Sequence, residues 1–332
     1  MRHKQKSRFP DLGEFRFVEQ LLHASATTAP LRPSADWVGP GDDCALLDGW
    51  LISTDLSVEG THFRLDWSSI EEAMEKCLLS NFSDINAMGG TAKLVSLGIC
   101  LRKDWGAEEQ ARLVAIVSLI LARYNVQILG GDTVVGEQAM FAITVFGQCE
   151  NSAKPLLRSG AKLGDYVYVS GKLGAPEAGL YALLHKRSGV YWDLLIASHL
   201  VPQVPLGLGA KLLTQGSINA CIDISDGLSS ELHHLAIQSQ VKIQIEESLI
   251  PIHPLVSACA GFTERSGLSF ALHGGEEYQL LFMSPLPPSL LVLDLWPFDV
   301  TCIGRVHQGS GVSLLRSDGT CEILPAGAWS HL

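Results

Sequence analysis

The 332-residue sequence contains no G-x-x-x-x-G-K-[ST] phosphate loop, no G-x-G-x-x-G, no H-E-x-x-H and no G-x-S-x-G. Those absences remove the ordinary P-loop NTPase, dinucleotide-binding, zincin and serine-hydrolase readings. The eight cysteines stand singly, with no C-x-x-C pair, and most lie inside apolar segments. Neither a zinc site nor a disulfide framework is therefore expected, and the compartment reads as reducing and cytoplasmic. Positive charge is scarce as well: 24 Lys and Arg against 35 Asp and Glu leave a formal net charge of -11. Nucleic acid and anionic membrane, which need a basic surface, are poor partners for such a chain. Long apolar runs are missing too. The strongest, 113–122 between Arg112 and Arg123, is too short to span a bilayer and reads as a buried helix. The basic start (Arg2, Lys4, Lys6, Arg8) is followed by polar Asp11-Leu12-Gly13-Glu14, where a signal peptide would need an apolar core; it reads as a tail.

Hydrophobic residues, at 47%, suffice for two cores, and the length suits about two domains. Against that background six aspartates stand at or beside the ends of apolar runs: Asp43, Asp55, Asp84, Asp132, Asp223 and Asp226. A carboxylate at the end of a buried strand sits on the rim of a cleft, where several together can hold hard cations through oxygen. Hydroxyls and glycines accompany them in Ser53-Thr54-Asp55, Gly131-Asp132-Thr133 and Asp223-Ile224-Ser225-Asp226. That donor set suits Mg²⁺, although an Asp beside a Gly is also the usual chemistry of a plain turn. Carboxylates alone would repel a nucleotide, whereas Mg²⁺ between them and the phosphates turns repulsion into a clamp. Arg158 reads as a direct phosphate contact or as a surface salt bridge.

Periodicity predicts a strand at 50–54, then a helix opened by a Ser68–Glu71 capping box and running to Gly89-Gly90. Its apolar stripe is Ile70, Met74, Cys77, Leu78, Ile85 and Met88, and helical spacing places Asn81 and Asp84 within it. An inward carboxylate needs a partner: a cap or salt bridge on one reading, a metal or ligand on the other. A strand at 93–101, a helix at 107–124, a strand at 126–129 running into Gly130-Gly131-Asp132 and a strand at 140–147 complete the first half. The polar stretch 149–154 marks the boundary between a domain at 1–148 and one at 149–332. Beyond it, strands near 166–170, 220–224, 241–245, 278–283, 300–306 and 311–315 mix with helices near 176–185, 206–215 and 228–238. The class is α/β or α+β.

Taken in order, Gly41-Asp42-Asp43-Cys44-Ala45, Ser53-Thr54-Asp55 with His62-Phe63, Asn81-Phe82-Ser83-Asp84-Ile85-Asn86-Ala87-Met88-Gly89, Gly130-Gly131-Asp132-Thr133, Arg158-Ser159-Gly160-Ala161, Asp223-Ile224-Ser225-Asp226-Gly227-Leu228 and Gly274-Gly275-Glu276-Glu277-Tyr278 resemble thiamine-monophosphate kinases. The resemblance covers roughly residues 11–330, and its specificity lies in the ordered set rather than in any one piece. It implies the two-domain fold of aminoimidazole ribonucleotide synthetase-like ATP users, with an amino-terminal domain pairing across a homodimer. It further implies ATP and several Mg²⁺ in a cleft between the domains. Asp43, Ser53, Thr54, Asp55, Asp84, Asp132, Asp223 and Asp226 would be metal ligands. Gly131, Asp132, Arg158, Ser225 and Tyr124 would bind ATP, and His62, Glu276 and Trp329 would contact thiamine phosphate. An indole suits thiamine's cationic thiazolium or flat pyrimidine, while a Trp this near the end of the sequence is also a common tail anchor. His62 is expected as a loop hydrogen-bond donor rather than a base.

The reaction implied is direct in-line transfer from ATP to thiamine monophosphate, giving thiamine diphosphate and ADP. The acceptor is already an anionic oxygen, so no catalytic base and no covalent intermediate are expected. Selenophosphate synthetase and the hydrogenase-maturation carbamoyl dehydratase use an amino-terminal Cys or selenocysteine and a carboxyl-terminal Cys respectively. Here the first cysteine is Cys44 and the last residue is Leu332. A metal-stabilised nucleotide-binding scaffold is the rival from outside enzymes.

Overall fold

A computed structural model describes residues 20–21, 37–295 and 297–327, so the basic start and Trp329 lie outside the described residues. The first sheet comprises β1 (Ala45–Leu47), β2 (Trp50–Val58), β3 (Thr91–Arg102), β4 (Gln127–Gly136) and β5 (Met140–Gln148). Its order is β1-β2-β5-β3-β4, antiparallel except for the parallel β3–β4 pair. β5 alternates buried and half-buried positions along its length, as a strand covered on one face should. The cover is helix α1 (Ile70–Ala87), which packs on β2, β3 and β5 and against α2 (Ala107–Tyr124).

α1 begins at Ser69, whose hydroxyl accepts from the Glu72 N–H at 3.1 Å while the Glu72 carboxylate accepts from the Ser69 N–H at 2.8 Å. The capping box is thus one residue later than the expected Ser68–Glu71 pair. Ser68 instead donates to the Arg64 carbonyl, and Glu71 pairs with Arg112. Gly89, at φ +80°, ends the helix, a backbone region open to glycine at little cost. α1 is buried almost all round because the second half of the chain packs on the side that the first sheet leaves free. α2 is amphipathic, as its periodicity leads one to expect: Leu113, Ile116, Val117, Ile120 and Leu121 are buried, whereas Val114 and Leu119, within the stretch 113–122 expected to be buried, face outward.

The second sheet contains β6 (Tyr166–Ser170), β7 (Ala220–Asp223), β8 (Lys242–Glu246), β9 (Leu280–Ser284), β10 (Val300–His307), β11 (Gly311–Leu315) and β12 (Cys321–Ile323). They lie in the order β12-β11-β8-β10-β6-β9-β7. β7 and β9 are buried at every position, and separate apolar clusters fill the two sides of this sheet. The helices with it are α3 (Ala175–Leu184), α4 (Val190–Leu200), α5 (Leu208–Gln215), α6 (Leu228–Ser239), α7 (Pro254–Cys259), α8 (Gly267–His273) and α9 (Pro288–Asp294). The fold is a mixed α/β architecture of two sheets. Among the described residues, no helix is long and apolar enough to cross a membrane.

Two expectations change. The strand carrying Asp55 continues to Val58, so Asp55 is mid-strand. Gly130-Gly131-Asp132 is likewise no turn but the middle of β4, and a Cβ at Gly131 would stand 2.0 Å from the Leu97 carbonyl oxygen. That close approach between strands explains the glycine by itself.

Candidate active site

α1 is the seam between the two sheets. Its Ser83 hydroxyl donates to Asp223 Oδ2 at 2.6 Å, at the end of β7, and its Asp84 accepts from the Ser53 hydroxyl at 2.5 Å, from β2. Asn86, one turn on, donates to the Pro205 carbonyl and accepts from the N–H groups of Gly207 and Gly209, fixing the entry to α5. Asp43 arrives from the loop before β1. One carboxylate oxygen from each of Asp43, Asp84 and Asp223 lies within 4.8 Å of the others, a spacing able to hold a metal ion.

The cluster concentrates negative charge in a buried place. Burial, then Asp55, Asp223 and Asp43, push the Asp84 carboxyl well above the carboxylate range. Burial, then Asp43, raise Asp223 to about 8, and burial, then Asp226, raise Asp55 to about 6. Like charges gathered in a dry place cannot all ionise without compensation. Arg158 supplies some: its Nη2 stands 2.6 Å from Asp43 Oδ1, with the arginine side chain only 18% exposed. It is thus a buried ion pair rather than the surface salt bridge that was the alternative to a phosphate contact. Asp43 Oδ2 is buried and has no hydrogen-bond partner, so one oxygen of the cluster's acids is unsatisfied. Carboxylate oxygens, a neighbouring hydroxyl and that orphaned atom fit Mg²⁺.

The other expected ligands divide. Asp55 and Ser53 share the α1-facing side of β2, and Asp55 is close enough to Asp226 for the two charges to act on one another. The Asp226 N–H is held by Glu231 at 3.0 Å. Thr54 points to the opposite side, where its hydroxyl meets Thr144 at 2.9 Å. The ladder pairings Leu56–Ala142–Gly98–Asp132 put Asp132 on that same open side. Strand alternation therefore separates Thr54 and Asp132 from the acidic cluster within one chain.

Gly131 is on the edge strand, and Tyr124, at the end of α2, packs edge-on against Phe82 with ring centroids 5.7 Å apart. The Ser225 carbonyl accepts from the Glu276 N–H at 2.7 Å. His62 Nδ1 accepts from the Val58 N–H at 3.1 Å, while the His62 backbone N–H donates to the Val58 carbonyl at 2.9 Å. Glu276 lies between Lys76 of α1 and His199 of α4. Trp329 lies outside the described residues.

Sequence reasoning missed Lys76, His199, Ser83 as a carboxylate donor, Asp42 and Glu231. Asp42 accepts from the Arg158 N–H at 3.1 Å, and burial followed by Asp43 raises its carboxyl to about 7. Lys76 gave no local signal: helical spacing puts it off the apolar stripe of α1, and it is the packing of the second half of the chain that buries it.

Comparison with known proteins agrees with this geometry. Residues 41–149 match the family described as AIR synthase related protein, N-terminal domain. A thiamine-monophosphate kinase of Mycobacterium tuberculosis is 35% identical over 305 residues, covering 90% of this chain and 86% of that protein. One from Bacillus subtilis is 34% identical over 331 residues, covering 94% and 98%. The solved structure of AaThiL complexed with AMPPCP and TMP superposes with a TM-score of 0.79 at 30% identity, covering both chains completely. The solved structure of the hydrogenase maturation protein HypE in complex with ATP shares the fold at 19% identity, with a TM-score of 0.70 over 93% of this chain and 96% of that one.

Proposed function

The chain belongs to the thiamine-monophosphate kinase family, and from that premise we propose that it transfers the terminal phosphoryl group of ATP directly to thiamine monophosphate, with several Mg²⁺ ions. The observation that carries this reading is the meeting of Asp43, Asp84 and Asp223 within 4.8 Å, with one buried oxygen of Asp43 unsatisfied. Relatives named for this substrate, and a similar structure holding AMPPCP, a non-hydrolysable ATP analogue, support the choice of reaction.

Asp43, Asp84 and Asp223 would hold Mg²⁺, with Ser53, Asp55 and Asp226 around them. Bound Mg²⁺ would neutralise phosphate oxygens and the charge of the transferring group. The chain's own work is placement. Ser53 and Ser83 fix two of the acids by hydrogen bonds, and Arg158 keeps Asp43 in position while contributing positive charge. The acceptor oxygen is already anionic, so alignment substitutes for a general base.

We assign ATP contacts to Gly131, Asp132, Arg158, Ser225 and Tyr124, and thiamine phosphate contacts to His62, Glu276 and Trp329. Domains at 1–148 and 149–332 would enclose the cleft, consistent with one sheet in each. A homodimer formed through the first domain would cover the open sheet face and bring Thr54 and Asp132 into an enclosed setting. The test is production of thiamine diphosphate by purified protein supplied with ATP, thiamine monophosphate and excess Mg²⁺. No product would sink the reading.

A further inference from the structure

Glu276 is held from behind by two groups that no role above uses. Lys76 Nζ is 2.6 Å from one carboxylate oxygen and His199 Nδ1 is 3.1 Å from the other. The lysine and histidine side chains are 9% and 7% exposed, whereas the glutamate is 28% exposed. The lysine and the imidazole therefore sit inside, the imidazole in close polar contact with the carboxylate but not aligned as a hydrogen bond, and the carboxylate keeps an open side. A carboxylate has about four acceptor positions, so at least two remain for a ligand.

The backbone is equally constrained. Glu276 has φ +63° and Tyr278 φ +49°, in a left-handed region that side chains seldom adopt. Their N–H groups donate to the Ser225 and Ile224 carbonyls at 2.7 and 2.8 Å. This ties the Glu276 loop to the segment that carries Asp223 and Asp226. Strain held by surrounding bonds in this way is typical of a site that must present one group in one direction.

Burying a lysine is a poor route to stability, since an apolar side chain of similar size would fill the same space without desolvating a charge. Direction is what the pair supplies. Lys76 also balances the glutamate's charge, so net attraction for a cation is weak and hydrogen-bond acceptance is what Glu276 retains. Lys76 precedes Asp84 by eight residues on α1, about 12 Å along the axis. That spacing separates the phosphate end of a substrate from its ring end.

Resting on the kinase reading above, we propose that Lys76 and His199 are positioning residues that turn Glu276 into an acceptor for an amino group on the ring of the phosphoryl acceptor. For thiamine monophosphate this is the pyrimidine amino group. A hydrogen bond from that group to a fixed carboxylate separates it from an analogue carrying hydrogen at the same ring carbon by about 10-fold or more.

The experiment compares kcat/KM for thiamine monophosphate and for its deaminated analogue in the wild type, Lys76→Met, Lys76→Arg and His199→Phe, with the KM for ATP and the melting temperature alongside. The wild type is expected to prefer the amino compound, and Lys76→Met and His199→Phe to move the ratio towards one while the KM for ATP stays within about 2-fold. Lys76→Arg should restore part of the preference. Using two positions keeps the test decisive if one variant does not fold. An active wild type that does not discriminate, or variants in which the ratio is unchanged or both KM values rise together, would overturn the proposal. A wild type that makes no thiamine diphosphate overturns the kinase reading instead.

Discussion

The Ser83 hydroxyl donates to Asp223 Oδ2 at 2.6 Å, and this buried bond joins the helix packed on the first sheet to the last residue of β7 in the second. It fixes the distance between two acids that come from opposite halves of the chain. Replacing Ser83 with alanine leaves a buried carboxyl oxygen without its donor, which costs about 1–3 kcal/mol. Urea denaturation of Ser83→Ala should show that loss. Turnover at saturating Mg²⁺ should fall about 10-fold if Asp223 drifts from its place. Unchanged values in both assays would mean the bond only fills space.

Asp84→Asn should separate stability from function. The wild-type carboxyl is pushed well above its usual range by burial and by three neighbouring acids, so an amide relieves repulsion in metal-free protein. The variant should melt higher than the wild type in EDTA at pH 8. Its response to Mg²⁺ with nucleotide should shrink, and its turnover should fall by about 100-fold or more. A variant that keeps the wild-type Mg²⁺ dependence would remove Asp84 from the ligand set.

The pH dependence carries a sign. Asp55 is raised to about 6 and Asp223 to about 8 in the folded protein, against an ordinary value of 3.8. Folding therefore favours their protonated forms. Their contribution to stability is complete below about 3.8 and is lost as pH climbs through 6 and then 8. Glu276, lowered to about 2 by Lys76 and His199 in spite of burial, has the opposite sign: its contribution is present above 4.5 and disappears only towards 2. Between pH 5 and 9 the aspartates dominate. Melting temperatures in EDTA should decline across that range, and those in Mg²⁺ should decline less. Parallel profiles with and without Mg²⁺ would contradict a cation site at the cluster.

How far the sequence foretold this site depends on the range of the interaction. α2 follows its expected limits because helical periodicity is a local signal. The inward turn of Asp84 was legible from the stripe of α1 for the same reason. The capping box slipped by one because Ser68-Ser69 and Glu71-Glu72 offer two overlapping versions of one motif. Thr54 and Asp132 illustrate a different limit: their side of the sheet depends on how far β2 and β4 extend, and both strands run past the expected ends. The Lys76–Glu276 pair joins segments from the two halves of the chain, and no local pattern connects them.

The open side of the first sheet leads to the last prediction. Leu56 and Val134 face outward there, while Ile128, Leu129 and Val135 line the exposed edge of β4, and Val134 and Val135 are 52% and 67% exposed. An uncovered apolar edge strand is a surface that proteins ordinarily pair or shield. Burying it against the same surface of a second copy would recover about 1.5–3 kcal/mol for each large side chain fully covered. A glutamate at Val134 would place a charge in the centre of that contact. Sedimentation equilibrium should find the wild type as a dimer and Val134→Glu as a monomer with an unchanged circular dichroism spectrum. Turnover should fall in the monomer, because Thr54 and Asp132 share the exposed side that the second copy would enclose. A wild type that sediments as a monomer while fully active would show that the face has another purpose.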